Sequence, residues 1–158
     1  MQRIGKISSI NYQNGTARVT FEDKGGSTTA EFPFLCWQYL MPEVGEQVLV
    51  AHLSNGPSTA FILGPVWHNE HRPAEGFEGL YRKEFHYKQP GEAFERYDAN
   101  TGIYRLQVGA CVIEVSKAGS INITAPGNVT VNGDVIADGI SLEKHTHSGV
   151  NGETSKPN

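Results

Sequence analysis

The chain has 158 residues, of which 38% are hydrophobic and 19% charged, and its 18 glycines and 8 prolines recur throughout. Gly and Pro are the poorest helix formers, so this composition excludes a long-helix protein and favours short strands joined by tight turns. A formal net charge of −4 excludes the strongly basic footprint of a dedicated nucleic-acid binder.

Residues 1–8 contain no apolar run able to serve as a signal-peptide core. No segment reaches the roughly 18 apolar residues of a membrane-spanning helix. The expectation is synthesis in the cytoplasm without a signal peptide. Cys36 and Cys111 lie far apart and outside any C-x-x-C pair, which predicts two reduced thiols.

Residues 3–66 read as a barrel or sandwich. Ile4, Ile7 and Ile10 lead into Asn14-Gly15, a type I′ hairpin signal, and Ala17, Val19 and Phe21 alternate with polar positions beyond it. Lys24-Gly25-Gly26-Ser27 predicts a second turn and residues 28–34 a third strand. The apolar segment 34–41, with Trp37, reads as a short helix or an irregular plug ending at Pro42. Residues 44–53 and 59–66 supply two more strands around the turn Asn55-Gly56-Pro57-Ser58. Five short strands over this length is the count of an OB-type barrel.

From Trp67 to about Asn100 charge and aromatics mix without a sustained period, the texture of a connector, with short extended pieces at 81–88 and 93–98 separated by Gln89-Pro90-Gly91. Beyond it, over residues 121–139, the odd positions are all apolar or Gly, among them Ile121, Ile123, Val129, Val131 and Val135. The even ones are polar or Pro except Ile136. A period of two puts these sets on opposite faces of an extended chain. Such a narrow ribbon buries too little to stand alone, and the length after the barrel is too short for a single-chain solenoid. Self-association of three or more copies around an axial core of small apolar residues is the expected solution.

His145 and His147 follow, at i and i+2, a spacing that projects both rings to one side of an extended chain, although the apolar phase shifts at Ile140 and Leu142. On a three-fold axis the pair yields six imidazoles, which suit an octahedral ion such as iron(II) or nickel(II) better than four-coordinate zinc.

The run Gly139-Ile140-Ser141-Leu142-Glu143-Lys144-His145-Thr146-His147-Ser148-Gly149-Val150 resembles the spike apex of the phage baseplate assembly protein V family, the central spike of contractile tails. Pro42-Glu43-Val44-Gly45-Glu46-Gln47-Val48-Leu49-Val50 and Phe61-Ile62-Leu63-Gly64-Pro65-Val66 resemble that family's amino-terminal OB domain. The resemblance implies an all-β homotrimer: an OB-fold collar over 1–70, a connector over 71–100, an intertwined trimeric β-helical shaft over 101–142, and a metal-binding apex with a polar tail over 143–158. It also implies that His145 and His147 hold one iron ion per trimer. The implied partners are baseplate hub and tail tube proteins, with the host outer envelope as target and no specific nucleic acid. The implied place is the virion tail baseplate or a tail-like particle, and the implied role is mechanical rather than enzymatic.

Other constellations are weaker. His68-Asn69-Glu70-His71 lacks the H-E-x-x-H spacing of zinc peptidases and reads as exposed connector histidines. Glu92 with Glu95, and Glu75 with Glu78, lie in polar sequence without apolar flanks to split their pKa values. Trp37 and Trp67 read as core and collar packing. Two rival readings are an OB module for nucleic acid or glycan, and a histidine-metal enzyme. Too few basic groups (Lys6, Arg18, Lys24) argue against the first, and an ion saturated by six imidazoles against the second.

Overall fold

The computed structural model describes residues 1–36, 38–53, 59–86, 88–150 and 152–153. The described chain is all-β, with a single 3-10 turn at Glu22–Lys24, and none of its helices is long and apolar enough to cross a membrane. It divides into two units, Met1–Glu78 and Gly79–Asn158.

The first unit contains β1 (Gln2–Asn11), β2 (Thr16–Phe21), β3 (Ser27–Thr28), β4 (Phe32–Pro33), β5 (Gln47–His52) and β6 (Ala60–Pro65). Hydrogen bonding runs β3-β2-β1-β5-β6, with β4 also on β2. A parallel bridge, Phe34 to Ile62, brings the end of β4 to β6, and the Leu35 N–H donates to the Ile62 carbonyl at 2.8 Å. The circuit β1-β2-β4-β6-β5-β1 is therefore joined all round, as an OB-like barrel requires.

Period-two alternation fills it. Ala17, Val19 and Phe21 of β2, Val48 and Val50 of β5, and Ala60 and Ile62 of β6 all point inward, with Ile7 and Phe32 completing the core. On β1 the pairing register shifts between Ile7 and Ser9, and this bulge turns Ile10 toward the same core as Ile7 despite their spacing of three. Gly5 is the point of closest approach: a Cβ there would lie 2.4 Å from Val19 Cγ1 and 2.8 Å from Phe21 Cδ1.

Several expectations are corrected here. Asn14-Gly15 does not form a two-residue I′ turn. Pairing ends at Asn11 with Thr16, the loop spans four residues, and Gly15 takes a φ of 63° while the Asn11 side chain accepts the Asn14 N–H at 3.2 Å. The third strand breaks into β3 and β4, because Thr29 Oγ1 accepts the Val19 N–H at 3.0 Å where a ladder carbonyl would stand. Segment 34–41 is neither helix nor plug in its described residues, since Leu35, Tyr39 and Leu40 are exposed. Trp67 is 65% exposed rather than packed in a core. Trp37 and the 55–58 turn lie outside the described residues.

The second unit is a meander. β7 (Leu80–Glu84), β8 (Ala93–Asp98), β9 (Ile103–Val108), β10 (Cys111–Ser116) and β11 (Ile121–Thr124) form one antiparallel sheet in which each strand pairs with its sequence neighbours. Two of these strands, β7 and β8, fall in the 71–100 stretch that reads as a connector. The alternation of 121–139 persists as a strand only through Thr124. Its end carries a small hairpin of β12 (Ile136–Ala137) and β13 (Ile140–Ser141), turned by Asp138 and Gly139 with φ of 52° and 82°. That is the positive-φ pair of a type I′ turn. A last pair, β14 (Ser148–Gly149) and β15 (Gly152–Glu153), follows.

The two faces of the five-stranded sheet differ. One carries ion pairs, within strands for Arg82 with Glu84 and Arg96 with Asp98 at 3.6 Å and across β9 and β10 for Arg105 with Glu114 at 3.2 Å, while the Arg82 guanidinium lies 3.8 Å from the Phe94 ring centre. Register places Val108, Cys111, Ile113, Val115, Ile121 and Ile123 together on the other. Toward β7 that face turns polar. Tyr81 and Tyr104 donate to Glu95 at 2.6 and 3.0 Å, holding its carboxyl below the usual range and pushing both phenols up.

The loop from β8 to β9 turns on Asp98, which is 8% exposed. Burial pushes its pKa up, but N–H bonds from Thr101 and Asn100, with the charge of Arg96, outweigh it and hold the carboxyl below the ordinary value. A carboxyl depressed in the folded state adds stability above its unfolded pKa, lost as pH falls through the folded one. The thermal midpoint of the second unit is therefore expected to drop below about pH 4, more steeply than in an Asp98→Asn variant. Identical acid limbs in the two proteins would refute this.

Candidate functional site

The apex histidines sit just after the β12–β13 hairpin. The Val135 carbonyl accepts the Leu142 N–H at 2.8 Å, and Asp134 Oδ1 accepts the Glu143 N–H at 3.0 Å. The Ser141 side chain and that Glu143 amide hold the Asp134 carboxyl below its ordinary range, so it stays an anion and clamps the turn. Ser141 Oγ accepts the Lys144 N–H at 2.8 Å, and the Ser141 carbonyl accepts the His145 N–H at 3.1 Å.

His145 therefore leaves a turn rather than an extended strand, and the apolar phase has already shifted at Ile140 because the two-residue turn Asp138-Gly139 pairs Ala137 with Ile140. Its ring still meets that of His147, centre to centre at 5.0 Å and edge-on at 90°. His145 Nδ1 lies 2.9 Å from the Ser141 carbonyl and 3.0 Å from that of Leu142. Carbonyls only accept, so Nδ1 carries the proton and the Nε2 lone pair is left for a ligand. A carbonyl behind a ligating imidazole is the usual second partner that orients it, so the donor set fits a transition metal. Each chain brings two imidazoles, His145 backed in this way and His147 beside it.

The apolar face of the meander is the second functional feature. Val108, Ile113, Val115, Ile121 and Ile123 are 40–67% exposed, and Val129, Val131 and Val135 continue the series at 42–62%. Cys36 and Cys111 are free and exposed.

His68 and His71, read from sequence as exposed, are half-buried and meet a carboxylate that the sequence does not flag. His71 Nδ1 lies 2.9 Å from Glu46 Oε2. Twenty-odd residues separate the partners, and the barrel strands bring them together; no local spacing signals it. Of the carboxylate pairs, Glu95 is engaged by the tyrosines and Glu92 by His86 Nδ1 at 2.8 Å.

No curated protein matches the chain. Residues 36–67, which run from the barrel's closing bridge through β5 and β6, do match a family described as the Type VI secretion system/phage-baseplate injector OB domain. That match supports a baseplate-related structural role, with the virion tail baseplate as the place the family implies. The strand circuit of the first unit and the match at 36–67 both agree with an OB-like barrel similar to the phage-baseplate injector OB domain that the sequence resembles.

Proposed function

We propose that the chain is the central spike of a contractile phage tail or tail-like particle, a homotrimer that pierces the host outer envelope when the sheath contracts. The observation that carries this reading is the uncovered sheet face. Large aliphatic side chains from Val108 to Ile123 share it, in a chain whose opposite face is covered with ion pairs. Fully burying one such side chain contributes about 1.5–3 kcal/mol, so leaving this whole face in water is costly and three copies packed around an axis remove the cost. The family match agrees, since a baseplate injector domain belongs on a shaft. Hub and tail tube proteins are the partners of the collar in this reading.

His145 and His147 of three such chains hold one iron ion at the tip, bound through neutral imidazoles. When bound, the ion supplies a crosslink between copies that resists splaying of the point. This chain's contribution is the turn that fixes His145 and its protonated Nδ1. Native mass spectrometry is expected to show a trimer with one iron ion, and a monomer overturns the proposal. Acid or a strong chelator is expected to strip the ion, because ligating imidazoles must be deprotonated. His145→Ala with His147→Ala is expected to abolish iron content measured by elemental analysis while the trimer persists. Undiminished iron in that double variant would refute the site.

A further inference from the structure

The first unit holds a second donor cluster, away from the apex pair in sequence and on a different unit. Glu46, His68 and His71 each present one ligand atom, and these atoms lie within 4.8 Å of one another. Their placement is set by backbone. His68 and His71 exchange both main-chain hydrogen bonds, at 3.1 and 3.0 Å, and so face each other across a tight turn with both side chains on one side. Their rings stand 6.0 Å apart at 84°. Glu46 is held where the barrel wall begins: the Ile7 N–H donates to its carbonyl at 2.9 Å, and the Val66 N–H to that of Gln47 at 3.1 Å.

Two details point to a ligand. Among the described residues, His68 Nε2 is the buried side-chain nitrogen or oxygen that lacks a hydrogen-bond partner. An unpaired buried polar atom is costly, so its retention beside two other metal-ligating groups calls for an occupant. The Glu46 and His71 side chains are themselves only 13% and 18% exposed, and the Trp67 ring covers His71 edge-on at 5.3 Å.

We propose that Glu46, His68 and His71 bind a divalent cation of the zinc class. Two imidazole nitrogens and one carboxylate oxygen are a three-ligand zinc set, with water in the fourth position. Bonds of about 2.1 Å to a tetrahedral ion bring ligand atoms to roughly 3.4 Å from one another, so side-chain rotations of about an ångström close the site. The ion takes the place of the proton now shared between His71 and Glu46. It ties the turn after β6 to the start of β5.

The test uses the full chain carrying His145→Ala and His147→Ala, so that the apex pair contributes nothing. Dialysed against zinc and then analysed for metal, this protein is expected to retain about one zinc per chain, and to show the visible absorption of a four-coordinate site with cobalt(II). Adding His68→Ala is expected to weaken binding by about tenfold or more and to remove the cobalt signature. Glu46→Gln preserves size and a hydrogen bond to His71, keeps the fold by circular dichroism, and is expected to weaken zinc by a similar factor. No zinc on the apex-deleted chain, or affinity unchanged by both His68→Ala and Glu46→Gln, overturns the proposal. Neither result depends on whether the chain is a trimer.

Discussion

A chain carrying Ile121→Asp and Ile123→Asp is expected to be a folded monomer in sedimentation experiments where the parent is a trimer. Both side chains lie on the apolar face of the edge strand β11, 67% and 58% exposed in the single chain, so a lone chain tolerates the change. In the proposed trimer they are buried. The substitution then removes about 1.5–3 kcal/mol of burial per side chain in each of three chains, and buries unpaired carboxylates at several kcal/mol each. Association must also overcome a cost of about 4–15 kcal/mol for lost rotation and translation, so the balance turns against the trimer. Asn122→Asp with Thr124→Asp alters the same strand on its other face and is expected to leave the trimer intact. Equal effects from the two pairs would show that charge on β11, not its apolar face, governs assembly.

Gly5→Val is expected to unfold or severely weaken the barrel, and Gly5→Ala to lower its thermal midpoint by roughly 5–20 °C. Gly5 lies on β1 between β2 and β5, paired with Val48, and its missing side chain is the space that Val19 and Phe21 occupy. A single methyl there overpacks a filled core, a change that costs about 1–3 kcal/mol. The gain from a stiffer unfolded chain, about 0.4–1 kcal/mol, is smaller. The backbone angle at Gly5 is not in the left-handed region, so the effect isolates crowding from strain. Differential scanning calorimetry checks it, and an unchanged midpoint for Gly5→Ala would mean that β1 moves away from β2 freely.

Most of the barrel was legible in the sequence because its inward residues obey a period of two and its turns carry Gly. Ala17, Val19 and Phe21, or Val48 and Val50, announce their strands without help. What failed had tertiary causes. Ile7 and Ile10 share a face through a bulge that no alternation encodes, and Thr29 replaces a ladder bond with its own hydroxyl. Two turn signals also differ in outcome. Asn14-Gly15 looked like the tight hairpin, yet paired positive φ falls at Gly25 and Gly26 and at Asp138 and Gly139, the latter pair hidden inside a longer run of alternation.

β7 and β8 show in the sequence as short extended pieces at 81–88 and 93–98, but their membership of one sheet does not, because Arg82, Glu84, Arg96 and Asp98 read as solvated connector until each ion pair forms within its strand. The candidate sites divide in the same way. His145 and His147 are visible as a local spacing, and the structure adds the carbonyls that choose the ligating nitrogen. Glu46 is silent in sequence: it becomes a partner of His68 and His71 only when β5 and β6 lie side by side.

In the proposed trimer, the strand order β11-β10-β9-β8-β7 also sets how assembly proceeds in time. Every pairing in that sheet closes a short loop, the condition for fast folding. Each chain therefore completes its sheet at a rate independent of its concentration, before it meets another copy. Bringing copies together follows as a slower step whose rate rises with the amount of protein. Formation of the proposed trimer is then limited by encounter rather than by folding.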